Sequence, residues 1–510
     1  MNFRIAGLIL FPILLTSCGR GIANTVIPNT LTVTPSKTAI STSTLVPTST
    51  VTPFPPLSGN PPYLMLRDVQ SLFLYDNDGR GRQIIQLPLD GHVFSPLKTI
   101  VSPDGQWLVF YTGSIGNTGY DEKLPVTLNL INLTDGTIRK VADIVTDGYQ
   151  QKLEEVAINL KMLFPDFYKP LDDRDWVSSS VISEFTWRIY SVAWSPDGQY
   201  LAFAGQIDGL SSDVYLYDIG SNTIQRVNDD LQSVYGIEWS PDGKYIVFEN
   251  SHPGYVYTGS SLYAVMPSEK TVKDPRPLQY STWWSIKGWL SSDQLLISEG
   301  TDTAGDLDLK ILNINNGQFK HLWEDSFGDY SIDNINQVIL LNSSDFTEDE
   351  YMGIYFVGFD GEKEKILDGL YYFDLIFRGE KKHRFLASGV SIFAENKING
   401  VVGVAFDGTI TLLSQIRDRK IRISPDYAWM TIYNDEEINL YDQHDELVRT
   451  FPLPNVYQVL WHPDSKGIFY SSGKELYYLS VPNGEPLIID QCLSEYCRFG
   501  FSVDDSIWLP

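Results

Sequence analysis

The chain has 510 residues, 43% hydrophobic and 20% charged, an ordinary globular composition that excludes wholesale disorder. Its 38 basic and 64 acidic residues leave a net charge of −26; proteins that bind nucleic acid neutralise phosphates with Lys and Arg, so no nucleic-acid partner is expected. Three cysteines exclude a disulfide-rich scaffold, and 29 Tyr with 12 Trp lean toward β-structure.

Arg4 is followed by an uncharged apolar run, Ile5 to Leu15, and then by Thr16-Ser17-Cys18. A positive charge before about ten apolar residues reads as a secretory signal peptide. The run is shorter than the roughly 20 residues of a spanning helix, and no other segment looks transmembrane. A cysteine after small residues in the cleavage zone resembles the lipobox of bacterial lipoproteins. That resemblance implies a signal peptide over 1–17, cleavage before Cys18 and lipidation of its sulfur. The protein would then be exported and held by its lipid on the extracytoplasmic side of a bacterial envelope membrane. The other reading is a plain signal peptide with an incidental cysteine.

From Thr25 to Pro56 the chain is mostly Thr, Ser and Pro, with Lys37 its only charge. Such a composition cannot build a core and stays extended, so residues 18–62 read as a tether. Residues 1–62 contain Arg4, Arg20 and Lys37 and no acid at all. The acidity therefore belongs to 63–510, where it favours solubility and cationic partners.

Residues 63–510 repeat one unit. The clearest copies are Ser102-Pro103-Asp104-Gly105, Ser195-Pro196-Asp197-Gly198 and Ser240-Pro241-Asp242-Gly243, with a looser Ser424-Pro425-Asp426-Tyr427. Weaker copies are Trp289 to Asp293 and Trp461-His462-Pro463-Asp464, and a last trace is Phe501 to Asp505. Pro presets the first central position of a type I turn, Gly supplies the left-handed residue, and Ser and Asp stiffen the backbone. Each copy thus joins two antiparallel strands. A second hairpin follows, as at Asp135-Gly136, Gly220-Ser221-Asn222, Asn316-Gly317, Asp360-Gly361 and Asp407-Gly408. Four strands in roughly 40–45 residues is the signature of a propeller blade. These repeats resemble the WD40-like (PD40) repeats of the TolB family, and the resemblance fades between about 330 and 415.

The expected fold is all-β, a β-propeller of four-stranded blades over 63–510. Turn centres near 103, 196, 241, 292, 333, 378, 425, 464 and 503 count nine units literally. Known propellers favour fewer, so the expectation is about eight blades within a range of seven to nine. Strands at both ends of the chain, near 63–87 and in a hairpin from Phe499 to Leu509, would complete one blade and close the ring. Residues 143–188 break the spacing. Leu153, Val156, Leu160 and Phe164 fall at helical intervals, so a small helical insertion is expected in the first full blade.

Four-stranded topology puts the short turns on one face and the longer connections, with the insertion, on the other. Long loops on a rigid scaffold usually carry binding. The binding candidates there are Tyr120, Asp172, Asp173, Asp175, Trp176, Tyr255 and Tyr257. Cys492 and Cys497 suit a disulfide in an exported protein; two free thiols are the alternative.

No nucleophile elbow, metal-ligating His pattern or Walker loop occurs, so no catalytic residue, metal or cofactor is assigned. Asp76 to Gly79 and Asp302 to Asp308 resemble calcium loops only loosely, which keeps calcium as a weak possibility. His462 reads as a turn residue, and the Trp at 194, 239, 289 and 461 as blade packing. The expected function is a monomeric, non-catalytic, tethered scaffold for a protein or peptide. The alternative is a glycan-binding or glycan-cleaving propeller with its site in the central channel; carboxylates and aromatics converging on the channel mouth would favour that one.

Overall fold

Leu201-Ala202-Phe203-Ala204 and Ile246-Val247-Phe248 are completely buried. Apolar runs without alternation belong to strands covered on both faces, and these strands lie inside sheets packed face to face. The structure is a computed structural model. It describes residues 56–510 except 60, 69–70, 94–96, 115–122, 146–190, 209–211, 229–232, 252–259, 268–275, 281–283, 302–304, 325–326, 344–352, 369–374, 378–384, 391–398, 406–408, 416–419 and 492–505.

The strands form nine antiparallel four-stranded sheets. Blades 1 to 8 span residues 91–145, 192–226, 233–280, 284–323, 327–368, 375–414, 420–452 and 456–491. Blade 9 combines Ser506–Leu509 with Tyr63–Asp68, Ser71–Tyr75 and Arg82–Gln86, so the two ends of the described chain close the ring. In each blade the strands are called A to D from the innermost outward. Blade 1 has the only interrupted A strand among the described residues: helix Leu97–Ile100 follows Gly91–His92, and Val101 then bridges to Leu108.

Every seam between blades has an apolar core. One cluster runs from blade 9 through blade 1 to blade 2. Further clusters join blades 2 and 3, 3 and 4, 4 and 5, 5 and 6, 6 and 7, 7 and 8, and 8 and 9. The outer D strands are the exposed ones, with Ile224, Leu447, Leu487 and Ile488 open to solvent.

Nine blades lie within the expected range and one above the preferred number. The turns near 333 and 378, inferred from spacing alone, each belong to a complete blade. Blade 9 takes one described C-terminal strand, Ser506–Leu509; the rest of the expected hairpin lies outside the described residues. The trace at Phe501 to Asp505 also lies outside the described residues; Trp508-Leu509-Pro510 is the segment that aligns with Trp461-His462-Pro463. Strand D of blade 1, Ile138–Val145, extends into the expected insertion, and Ile144 and Val145 are core residues. The remainder of that segment, 146–188, lies outside the described residues.

One compact unit spans Phe54–Pro510. The propeller unit thus starts before Tyr63. Leu57 packs on its core, and the backbone N–H of Ser58 donates to Asp76 at 3.0 Å. Among the described residues no helix is long and apolar enough to cross a membrane.

Candidate functional site at the channel mouth

The repeated turns share one set of bonds. The Ser hydroxyl donates to the Asp carboxylate two residues on, at 2.5–2.8 Å for Ser102, Ser195, Ser240, Ser291 and Ser424. The same oxygen accepts the N–H five residues on, at 2.9 Å for Trp107, Tyr200, Tyr245 and Trp429. His462 takes this place in blade 8, its Nδ1 bonded to Asp464. In blades 1, 2, 4, 5 and 8 the C–D turn is tied back to the A–B turn through Leu133 N–H to Gln106 O, Ile219 to Gln199, Ile314 to Asp293, Phe359 to Gln337 and Val481 to Lys466. Both turns of a blade therefore sit together on one face, as the topology predicts.

Neighbouring turns interlock. A Cβ on Gly105 would stand 2.8 Å from Pro510, one on Gly198 3.6 Å from Pro103, and one on Gly243 3.7 Å from Pro196. The proline of each turn thus fills the space left by the glycine of the next. These glycines have φ near +70°, which a Cβ penalises. Tyr427 and Ser465 accept the same conformation at φ 60° and 63°.

The turn face is anionic in a fixed way. Backbone N–H groups hold the Asp135 and Asp218 carboxyls below their usual range, the Ser240 hydroxyl does so for Asp242, and at Asp426 donors from Ala428, Ser424 and Ser465 outweigh burial. A carboxylate that accepts several hydrogen bonds resists protonation.

The A strands meet at the central channel. Trp194 and Trp239 each donate an indole N–H to the preceding blade, to Ile100 O and Ala193 O at 3.1 Å, while Trp461 donates to Arg422 O at 3.2 Å and Trp508 to Trp461 O at 3.0 Å. These indoles stitch blade to blade, as the packing role read from the sequence requires. Between blades 9, 1, 2 and 3 the channel mouth widens into a cavity of about 510 Å³ on the turn side, bordered by Trp194, Trp239, Trp508, Pro103, Lys98 and Glu238.

Glu238 is the one acid among the described lining residues. It follows a β-bulge in strand Ser233–Trp239, where Gly236 has φ 58° and lies against the Glu249 side chain. Glu249 is anchored, accepting the Ile286 N–H at 3.0 Å. Glu238 has no such anchor, and burial alone pushes its carboxyl up to about 7. Water reaches the residue, which is half-buried, but the surrounding walls deprive the charge of much of its hydration.

On the other face a rigid group underlies the B–C connection of blade 2. The buried Asp213 pairs with Arg226 at 2.7 Å and accepts from Asn228 at 3.2 Å, while Tyr215 donates to Asp208.

The residues expected to form the turns, Pro103 to Gly105, Pro196 to Gly198, Pro241 to Gly243 and Pro425-Asp426, all join one interlocked face. Tyr120, Asp172, Asp173, Asp175, Trp176, Tyr255, Tyr257, Cys18, Cys492 and Cys497 lie outside the described residues. Asp76, in one of the loose calcium-like segments, is engaged by Ser58. Glu238 was missed by the sequence reading, although a signal existed: it immediately precedes a repeat Trp, where other copies carry Ala193, Gly288, Leu460 or Ile507.

A family model described as "WD domain, G-beta repeat" matches residues 177–218, which include the first three strands of blade 2. No curated protein matches the chain. Among solved structures, a eukaryotic initiation factor aligns over 88% of this chain and 99% of its own at 11% identity, with a TM-score of 0.53. Porphyromonas gingivalis dipeptidyl peptidase 4 aligns over 80% of this chain and 62% of its own at 12% identity, with a TM-score of 0.47. The chain is thus a closed β-propeller built of WD40-like blades. At 11% identity the likeness to the initiation factor extends to the fold alone.

Proposed function

We propose that the chain is an exported lipoprotein, anchored through Cys18 and carried on a tether, whose PD40-like propeller is a non-catalytic scaffold for a protein or peptide partner. The observation that carries this reading is the interlocked, anionic turn face opening into one cavity at the channel mouth. A rigid concave surface of this kind binds without paying for its own ordering. The anchor rests on the apolar run before Cys18 and the Thr, Ser and Pro content of the segment after it.

A glycan ligand in the channel draws on the same indoles. Glycoside hydrolysis asks for two carboxyls flanking the bond, and the described lining of the cavity offers Glu238 alone. Trp194 and Trp239 are also packed into the wall, each about 8% exposed, rather than laid open as platforms.

Cross-linking mass spectrometry on intact cells tests the scaffold. Cross-links from turn-face residues such as Lys98 to one reproducible protein are expected, and their absence counts against the reading. Cys18→Ser tests the anchor: the variant is expected to leave the membrane fraction, and retention there would refute lipidation at this residue.

A further inference from the structure

Glu238 is a charge the fold does not need. Its strand position is filled by Ala193 in blade 2, Gly288 in blade 4, Arg422 in blade 7, Leu460 in blade 8 and Ile507 in blade 9, so packing of an A strand does not require an acid there. No hydrogen bond or ion pair holds its carboxyl among the described residues, whereas the turn acids Asp104, Asp197, Asp242 and Asp426 each accept a serine hydroxyl. An ionisable group placed where it costs stability and gains no internal partner marks a site that meets its partner from outside.

The surroundings narrow the class of that partner. The other charged groups on the elements packed here are Lys98 at the exposed rim, Glu249 on the paired strand, Lys287 on the next A strand, and Asp213 and Asp218 at the two ends of strand C of blade 2, the former paired with Arg226. Glu249 is engaged with the Ile286 N–H. Calcium or magnesium asks for six or more oxygen ligands and zinc for three or four from His, Cys and carboxylates, and the described lining has one carboxylate and neither His nor Cys. A lysine ammonium or arginine guanidinium needs one counter-charge. A cavity of about 510 Å³ takes a side chain with adjoining backbone, within the range of roughly 300–1,000 Å³ usual for ligand sites.

We propose that the channel-mouth cavity binds the basic side chain of a peptide segment, with Glu238 as its counter-charge. This rests on the scaffold reading and specifies the chemistry it selects. The ionised carboxylate is the binding form, so complex formation near pH 7 releases a proton from that fraction of molecules in which Glu238 is protonated.

The probes are an acetylated, amidated nonapeptide with a central arginine and the same peptide with citrulline, titrated calorimetrically into the full chain at pH 8 and pH 5.5. A charge-assisted pair implies a preference for arginine of about tenfold or more at pH 8. That preference is expected to shrink at pH 5.5 and to vanish in Glu238→Gln, while the citrulline peptide binds wild type and variant alike. Near pH 7 the binding heat is expected to vary with buffer ionisation enthalpy in wild type and not in the variant. Thermal melts of Glu238→Gln establish that it folds. An undiminished arginine preference in Glu238→Gln, no binding of the arginine peptide, or xylohexaose binding that Glu238→Gln abolishes would each overturn the proposal. Equal capture of one cellular partner by wild type and Glu238→Gln would overturn it too, yet leave the scaffold standing; failure to capture any partner would remove the scaffold itself.

Discussion

The A–B turn of blade 2 is Ser195-Pro196-Asp197-Gly198, and that of blade 5 is Asp333-Asn334-Ile335-Asn336-Gln337. Both reverse the chain between two strands and both contain a residue at positive φ, Gly198 at 70° and Gln337 at 54°. In blade 2 the Ser and Asp side chains brace the turn, and Pro196 reaches the glycine of the next one. In blade 5 Asp333 alone accepts the N–H groups of Ile335 and Asn336, both at 3.1 Å, and Ile335 is 93% exposed. A hairpin therefore needs only a left-handed residue and a local acceptor. The fuller motif adds a contact between blades, which explains how blade 5 completes the ring without it.

The contact between blades can be broken most directly at the closing strand. Trp508 packs edge-on against Phe469 and His462 across the seam of blades 8 and 9. Trp508→Ala is expected to cost about 3 kcal/mol, at the low end for a large aromatic because the ring is half-buried. Chemical denaturation should report it as a lower midpoint, and an unchanged midpoint would mean the ring does not depend on this closure.

The next largest effect concerns an acid that is braced by nothing. Burial pushes the Glu238 carboxyl up to about 7, above the usual 4.5 of a glutamate. The folded state therefore holds a proton that the unfolded chain releases, and stability falls as pH rises from about 4.5 through 7. At about 1.4 kcal/mol per unit the full shift corresponds to about 3 kcal/mol, and water in the cavity reduces it. Glu238→Gln is expected to be more stable than wild type by about 2 kcal/mol at pH 8 and equal to it at pH 4. Asp242 runs the other way: its lowered carboxyl stabilises the fold above its ordinary range and loses that contribution as the solution is acidified. Parallel melts across pH separate the two.

Two glycine exchanges sharpen the comparison of turns. Gly105→Ala meets both the φ penalty and the Pro510 ring and is expected to cost about 2 kcal/mol, against about 1 kcal/mol for Gly198→Ala, where Pro103 leaves ordinary contact distance. Equal losses would show that interlocking adds nothing to backbone strain. The smallest effect is the reverse exchange. Tyr427→Gly relieves a non-glycine residue at φ 60° but loosens the unfolded chain, for a net gain of about 0.5 kcal/mol by thermal denaturation.

Much of the fold was legible because its turn chemistry is local. Ser195, Asp197 and Gly198 act on atoms within five residues of themselves, so spacing alone located turns, strands and the shared face. The strands of blade 6 were found the same way, from Asp407-Gly408 and the spacing around 378. The candidate site was not legible to that degree. Glu238 lies one residue before a repeat Trp, but its lack of a partner and its cavity depend on blades 9, 1 and 2, up to 270 residues away in sequence at Trp508. The expected binding residues, from Tyr120 to Tyr257, were chosen by loop length and fall outside the described residues.

The amino-acid order alone determined that the chain repeats, that each unit is two hairpins, and that the acid is confined to residues 63–510, because those properties arise from neighbours in sequence. Only the tertiary structure decided that nine blades close, that Ser506–Leu509 completes the sheet begun at Tyr63, and that a channel-mouth cavity surrounds an unbraced glutamate. Ring closure is a sum over seams such as Leu64 with Phe469, whose partners are hundreds of residues apart, and no local pattern can state where such partners meet.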